Sequence, residues 1–307
     1  MSFSKVRAGL LRCATIFIKR AILLNFDLHN HSNASDGLLP PHELMALAAR
    51  NGCDAIALTD HDSMAGVALA ADAAREAGVR FVPGVEISVS WPEVGVWVDR
   101  SPVTLHIVGL NVDIANATLA TGLLSVRTGR RARAERMAEA LAEAGIPDTL
   151  DAAYALTGNE DMIGRTHFAR VLVQRGAARN VGQVFGKFLT SGRPGYVPHR
   201  WATLPDAVAW IRAAGGVPVI AHPGRYKLDN AERRQLFAEF KALGGAAIEV
   251  VTGSHEPRQY VEFAAFAREF EFSASRGADY HGPGESRFEP GVLPPLPAGL
   301  APVWDLF

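Results

Sequence analysis

Residues 24–37 read LNFDLHNHSNASDG, and the fold follows from how this stretch begins and ends. It opens as a short β-like run and closes on His29 and His31. Asp36 follows in a turn-like segment of Ser, Asn and Gly. A spacing of two along a strand points both imidazoles to one face, and a turn of that composition can fold a carboxylate back over them. The same shape recurs downstream. AIALTDHD (55–62) closes on Asp60, His61 and Asp62, FVPGVEIS (81–88) carries Glu86, and TLHIVGL (104–110) carries His106. VPVIAHP (217–223) ends at His222, AAIEVVTG (246–253) is a further apolar run, and SRGADYHG (275–282) closes on Asp279 and His281.

Helical patterns lie between these runs: HELMALAARNG (42–52), VALAADAAREAG (67–78), LPDAVAWIRAAGG (204–216) and AERRQLFAEFKALGG (231–245). Several close on Gly, a common helix stop. Strands alternating with helices argue for a parallel α/β architecture, open or closed. From about Ile114 to Thr190 the rhythm breaks into mostly helical patterns, LATGLLSVRTGRRARAERMAEALAEAG (119–145) among them. This predicts an α/β body over 25–113 and 191–307 with a helical insertion over 114–190. The Gly- and Pro-rich tail after Tyr280, ending in Trp304 and Phe307, reads as a loop packing back onto the body.

Residues 1–24 form a basic extension carrying Lys5, Arg7, Arg12, Lys19 and Arg20 and no acid. Its charges interrupt the apolar stretch, so it does not read as a bilayer span or a signal peptide. A formal net charge of −1 gives no strong field for nucleic acid, so any phosphate recognition must be local. The two cysteines, Cys13 and Cys53, exclude a disulfide framework and a Cys-based zinc site. That count fits a reducing, cytoplasmic location.

In parallel α/β folds, catalytic residues gather at the carboxyl ends of strands, where loops converge on one crevice. A single His there is usually a hydrogen-bonded structural residue. Six of them with Asp36, Glu86 and Asp279 exceed one tetrahedral site and imply two or three metals. Imidazole with carboxylate suits Zn, Mn or Fe.

The ordered set DLHNHSNASDG, LTDHD, PGVEIS, HIVGL, IAHPGRY and ADYHG resembles the motifs of the polymerase and histidinol phosphatase (PHP) family, from about Phe26 to about His281. Within it, RTHFARVLV (165–173), GYVPHRWATLPDAV (195–208) and IAHPGRY (220–226) look most like 3′,5′-nucleoside bisphosphate phosphatases and the similar 5′→3′ exoribonucleases. The resemblance implies a distorted (β/α)7 TIM-like barrel with a trinuclear metal centre. It assigns His29, His31, Glu86 and Asp279 to one metal, and Asp36, His61 and His281 to a second. His106 and His222 would hold a third, with Glu86 bridging. Asp60 and Asp62 are expected to orient imidazoles. The final motif reads ADYHG where SDFHG is commoner, which leaves Asp279 and His281 in place. Mn2+ is the metal expected by resemblance, with Zn2+, Fe2+ or Mg2+ as alternatives.

Hydrolysis of a phosphate monoester is among the slowest uncatalysed reactions. Paired metals lower the pKa of a bound water, neutralise phosphoryl oxygens and stabilise the leaving alkoxide. A His or Asp near the leaving oxygen can donate a proton, with His222, His281 and Asp279 as candidates. In the insertion, VRTGRRARAER (126–136) puts Arg130 and Arg133 three apart on one helix face, either to grip a phosphate or as a solvated basic face. By resemblance these two, with Arg165 and Thr166, contact the nucleotide, and Asp36, His61 and His281 meet substrate as well as metal. His199 reads either as pocket-lining or as a structural loop residue.

The expected activity is removal of the 3′-phosphate from nucleoside 3′,5′-bisphosphates such as pAp. The alternative is 5′→3′ exoribonuclease action on short 5′-phosphorylated RNA. An amidohydrolase-type metal hydrolase also begins with HxH, but many binuclear members need a carboxylated Lys. The body offers only Lys187, Lys227 and Lys241, in helical or loop contexts. A non-catalytic nucleotide-binding module would lack a ligand, and none is missing. The expected partners are a pAp-like nucleotide or short RNA 5′ ends, with no membrane and no obligate protein partner.

Overall fold

The computed structural model describes residues 24–93 and 102–307. Nearly all of the basic extension lies outside the described residues. Seven strands form one sheet in chain order: β1 (Phe26–Asp27), β2 (Ala55–Leu58), β3 (Arg80–Trp91), β4 (Val103–Leu110), β5 (Val217–Ile220), β6 (Ala247–Thr252) and β7 (Ser273–Gly277). The sheet curls until its edges meet. Leu28 N–H donates to Arg276 O at 3.0 Å, and Asp279 N–H donates to His29 O at 2.8 Å. Gly277 permits that approach, since a Cβ there would lie 2.3 Å from the His29 Cβ. The result is an α/β, nearly closed seven-stranded barrel.

Helices α1 (Pro41–Arg50), α2 (Val67–Ala77), α8 (Leu204–Ala213), α9 (Asn230–Ala242) and α10 (Pro257–Glu269) cover the outside of this barrel. A wholly parallel sheet does not result. The pairs β1–β2, β2–β3, β5–β6 and β6–β7 are parallel, but β4 runs antiparallel to both β3 and β5. The connection from Trp91 to Val103 is too short for the crossover that a parallel pair needs. His106 therefore enters from the amino-terminal half of a reversed strand.

Side chains alternate between the two faces of each strand. In β2, Ile56 and Leu58 pack outward into the helix layer, whereas Ala55 and Ala57 face the barrel interior. Phe26, Val82, Val108, Leu110, Val219 and Ala247 complete that interior floor. The tail seals it from below: Val303 is fully buried and the Trp304 ring stacks on Phe26 at 4.5 Å. Further up, the inward rows change character. Ala55 and Ala57 lead to Thr59 and His61, Val82 leads to Gly84 and Glu86, Leu110 and Val108 lead to His106, and Ala247 leads to Glu249. The polar end of each row makes the mouth.

Between β4 and β5 come α3 (Ala117–Arg127), α4 (Arg130–Glu143), α5 (Thr149–Tyr154), α6 (Arg165–Gln174), the single turn α7 (Val181–Val184) and a π-helical turn, Phe185–Leu189. The pattern over 119–145 is not one helix. Gly129, at φ +91°, breaks it between α3 and α4. Leu119, Leu123 and Val126 of α3 join the barrel's apolar core, while Met137, Leu141, Phe168, Leu172, Val184 and Leu189 form a separate cluster. The cap over the mouth thus has its own small core. Among the described residues, no helix is long and apolar enough to cross a membrane.

Candidate metal centre

Glu86 is the hub of the mouth. It is fully buried, and five histidines approach its carboxylate. Oε2 lies 3.3 Å from His29 Nε2, 3.3 Å from His31 Nε2 and 3.0 Å from His61 Nδ1. Oε1 lies 2.9 Å from His106 Nδ1 and 3.0 Å from His222 Nε2. Asp279 Oδ1 stands 3.5 Å from His29 and 3.4 Å from His31. Asp36 Oδ1 is 3.5 Å from His281 Nε2.

These contacts are close, yet many are not hydrogen bonds. His31 Nδ1, His61 Nδ1, His106 Nδ1, His222 Nδ1, Asp36 Oδ1, Glu86 Oε2 and Asp279 Oδ1 are all buried without a hydrogen-bond partner. An unsatisfied buried polar atom costs about 1–3 kcal/mol, so seven in one place require an occupant. Lone pairs converging from imidazole and carboxylate on one space suit divalent cations. Burial weighs against charge on Glu86, Asp36 and Asp279, but the surrounding histidines outweigh it and hold all three well below the ordinary carboxylate range. Burial pushes His61 and His222 down to about 3. Ionised carboxylates beside the neutral rings of His61 and His222 are donors a cation needs; burial opposes charge on His29 and His31 as well, but the neighbouring acids raise both above the ordinary histidine value.

By distance the nine residues fall into three groups: His31, Asp36, His61 and His281; His29, Glu86, His222 and Asp279; and His61, Glu86 and His106. His31 and His222 thus stand in different company from the assignment implied by resemblance. His31 has a foot in two groups, because Nδ1 faces Asp36 at 3.8 Å while Nε2 faces Glu86 and Asp279.

Asp60 and Asp62 do not orient imidazoles. Asp60 accepts from Ser32 N–H at 2.8 Å and from the Ser32 and Ser35 hydroxyls at 2.7 and 2.5 Å, fixing the turn that presents Asp36. Asp62 accepts from Ser88 N–H at 2.7 Å, from its hydroxyl at 2.9 Å, and from the Arg130 guanidinium. The acid that orients the His29 imidazole is Glu249, which sequence reasoning passed over. Its Oε1 lies 2.7 Å from His29 Nδ1 and its Oε2 accepts His222 N–H at 2.6 Å. The available signal was one acid in AIEVVT, a strand buried at every position. Asp62, His222 and Asp279 all have left-handed backbone, at φ 44°, 27° and 51°. Such conformations cost about 1–3 kcal/mol each and cluster at functional sites.

A cavity of about 630 Å³ opens above the cluster, bordered by Asp36, His61, Glu86, His106, Asp279 and His281 on the barrel side. Arg130, Arg133, Arg165 and Thr166 border it from the cap. Arg130 is committed to Asp62. Arg133 donates Nε–H to Val197 O at 3.0 Å and stacks with Arg130 on the Trp201 ring. Arg165 lies over the Phe185 ring at 5.5 Å. Among the described residues, neither Arg133 nor Arg165 has a carboxylate partner. Burial, and then neighbouring arginines, lower Arg133 to about 9, the mark of a cation lacking its anion. Thr166 donates to Asp36 Oδ2 at 2.8 Å. His222 does not border the cavity, and His199 packs edge-on against Trp201 at 4.3 Å.

The PHP domain family profile matches residues 27–119. The chain is 46% identical over 282 residues to a 3′,5′-nucleoside bisphosphate phosphatase of Chromobacterium violaceum, covering 92% of this chain and 96% of that one. It is 39% identical to a 5′-3′ exoribonuclease of Haemophilus influenzae, covering 92% and 98%. A solved structure from Chromobacterium violaceum, described as an amidohydrolase with bound sulfate and no metal, superposes with a TM-score of 0.87 at 46% identity, over 92% of this chain and 95% of that one.

Proposed function

The chain belongs to the PHP-domain phosphoesterases, and from that premise we propose that it removes the 3′-phosphate from nucleoside 3′,5′-bisphosphates, converting pAp to AMP and phosphate. One observation carries the reading: Arg133 and Arg165, which have no carboxylate partner among the described residues, border the same cavity as the metal-ligating cluster. A substrate with two phosphates satisfies both ends. Its 5′-phosphate supplies the anion that Arg133 and Arg165 lack, through charge-assisted hydrogen bonds, and its 3′-phosphate reaches the His/carboxylate cluster.

His29, His31, Asp36, His61, Glu86, His106, His222, Asp279 and His281 would hold two or three divalent cations, Mn2+ foremost. When bound, these lower the pKa of water and neutralise phosphoryl oxygens. The protein positions the ester between cap and barrel and keeps the carboxylates ionised. A proton must reach the leaving ribose oxygen. Of the three candidates, His281 and Asp279 border the cavity. The Nδ1–H of His281 is committed to Asp279 O at 3.0 Å, so its Nε2 holds either a cation or a proton.

A second reading, 5′→3′ exoribonuclease action on short RNA, is favoured by the 39% identical relative. The scissile phosphodiester would occupy the place of the 3′-phosphate. Among the described residues no lysine borders the cavity, so a lysine-carbamate amidohydrolase site has no support. The test is phosphate release from pAp with Mn2+, run beside 5′-phosphorylated oligoribonucleotides and 3′-AMP. Rapid conversion of pAp with slow oligonucleotides is the expected result. Comparable or faster loss of 5′ mononucleotides would make the protein an exoribonuclease.

A further inference from the structure

Arg225 follows His222 by three residues and borders the cavity on its barrel side, opposite the cap arginines. Its Nη1 donates to Asp279 Oδ2 at 3.0 Å, and half of the side chain is open to the cavity. Among the described residues the guanidinium has no second hydrogen-bond partner, so most of its five N–H donors are uncommitted. Asp279 Oδ1, the other oxygen of the same carboxylate, faces His29 and His31. The arginine therefore stands directly beside the space where the cluster's lone pairs converge.

The turn that carries it is held from every side. His255 is fully buried and donates Nδ1–H to Val250 O at 3.1 Å, which leaves Nε2 to accept Gly224 N–H at 2.9 Å. Gln259 donates to Gly224 O at 3.3 Å. A Cβ at position 224 would sit 2.4 Å from the Gln259 nitrogen and 2.9 Å from the His255 ring, so glycine is what lets this clamp close. Upstream, His222 N–H is held by Glu249 at 2.6 Å; downstream, Tyr226 donates its hydroxyl proton to Ala221 O and accepts His106 N–H, both at 2.9 Å. A structural ion pair half open to water needs no such support. A cation that must stabilise developing charge without reorganising does.

We infer that Arg225 is a further catalytic residue: its free donors bind the non-bridging oxygens of the phosphoryl group under attack, while the clamp of His255 and Gln259 fixes its position. This rests on the phosphoester reading above. It differs from the role given to Arg133 and Arg165, because Arg225 acts on the phosphate that reacts. Water supplies the entering oxygen, the ester P–O bond breaks, the leaving oxygen gains a proton in exchange for one that the attacking water gives up, and the arginine stays protonated throughout.

The experiment compares Arg225→Ala and Arg225→Lys with the parent on 4-nitrophenyl phosphate and on pAp, with bound metal counted by elemental analysis and folding followed by circular dichroism. The expected result for Arg225→Ala is a loss of about 10²-fold or more in kcat. The loss is the same on both substrates, occurs at unchanged metal content, and is partly reversed by added guanidinium. Arg225→Lys keeps the charge and the Asp279 pair but loses the fork, and is expected to fall at least about tenfold. Parental activity in either folded variant overturns the inference. So does a loss that tracks lost metal, which would make Arg225 only a prop for Asp279. A loss confined to pAp would assign it instead to the second phosphate. Should pAp prove inert and the nitrophenyl ester not, the substrate proposal fails alone and the Arg225 comparison still stands.

Discussion

Glu249 and His29 meet at 2.7 Å inside the barrel, each almost wholly shielded from solvent. Glu249 Oε1 meets His29 at Nδ1, which turns Nε2 toward Glu86, Asp279 and His31. The second oxygen of Glu249 accepts His222 N–H, so one acid orients two candidate ligands. Glu249→Gln supplies one acceptor where two donors converge. Loss of such orienting partners commonly costs about 10–100-fold in metal affinity or activity. Dialysis against graded chelator should show the variant releasing metal at lower chelator concentration than the parent. Equal retention would mean that the carboxylate is merely structural.

The cap arginines divide by their partners. Among the described residues Arg133 and Arg165 lack a carboxylate, whereas Arg130 is bound to Asp62. Arg133→Ala and Arg165→Ala should raise KM for pAp by about 10–100-fold, the worth of one or two bonds to a charged group. Hydrolysis of 4-nitrophenyl phosphate, which has no second phosphate, should change little. Arg130→Ala leaves Asp62 buried and unpaired, so its effect should extend to stability and to both substrates. An equal KM change on the simple ester in the Arg133 and Arg165 variants would remove the cap from recognition.

What was legible in the sequence was whatever depends on short-range periodicity. Ala55 to Leu58 alternates small and large residues because one face fills a barrel and the other meets helices. The ends of such runs named the residues that the structure gathers around Glu86. Less legible was whatever depends on distant pairing. Glu249 looks like one acid in an apolar run, and its partner His29 lies 220 residues away. The direction of β4 follows from the short connection between Trp91 and Val103, which counts only once strand order is known. Asp60 and Asp62 flank a histidine in sequence, but alternation turns them away from its ring toward Ser32 and Ser88. Arg225 was hidden in the motif that holds His222.

His255 offers a pH signature. Burial lowers its pKa to about 4, against an ordinary value of 6.5. The folded state therefore binds fewer protons than the unfolded state between those limits, and unfolding free energy falls as pH drops from about 6.5 to about 4. The full shift corresponds to about 3 kcal/mol. His255→Gln removes the titration, so its urea stability, measured in excess chelator, should fall less between pH 7 and pH 4.5 than that of the parent. Parallel curves would show that this histidine does not contribute to acid lability.

Arg170 and Glu285 fasten the cap to the barrel, beside the pair of Arg130 and Asp62. Arg170 of α6 donates to Glu285 at 2.8 and 2.7 Å and to Asp36 O at 2.6 Å, four residues beyond the Thr166 bond to the Asp36 carboxylate. Removing one partner of a buried pair costs about 3–5 kcal/mol, whereas replacing both by apolar residues of similar volume is often neutral. Glu285→Ala should therefore lower stability by about 3 kcal/mol, at the lower limit because Glu285 retains some exposure. The double variant Arg170→Met, Glu285→Met should recover most of that loss. It cannot restore the bond to Asp36 O, so the turn carrying Asp36 stays untethered and kcat should remain low. Denaturant unfolding beside kinetics on 4-nitrophenyl phosphate separates the two effects. If activity returned with stability in the double variant, the cap would act only through folding, and the Arg170 contact to Asp36 would have no part in the chemistry.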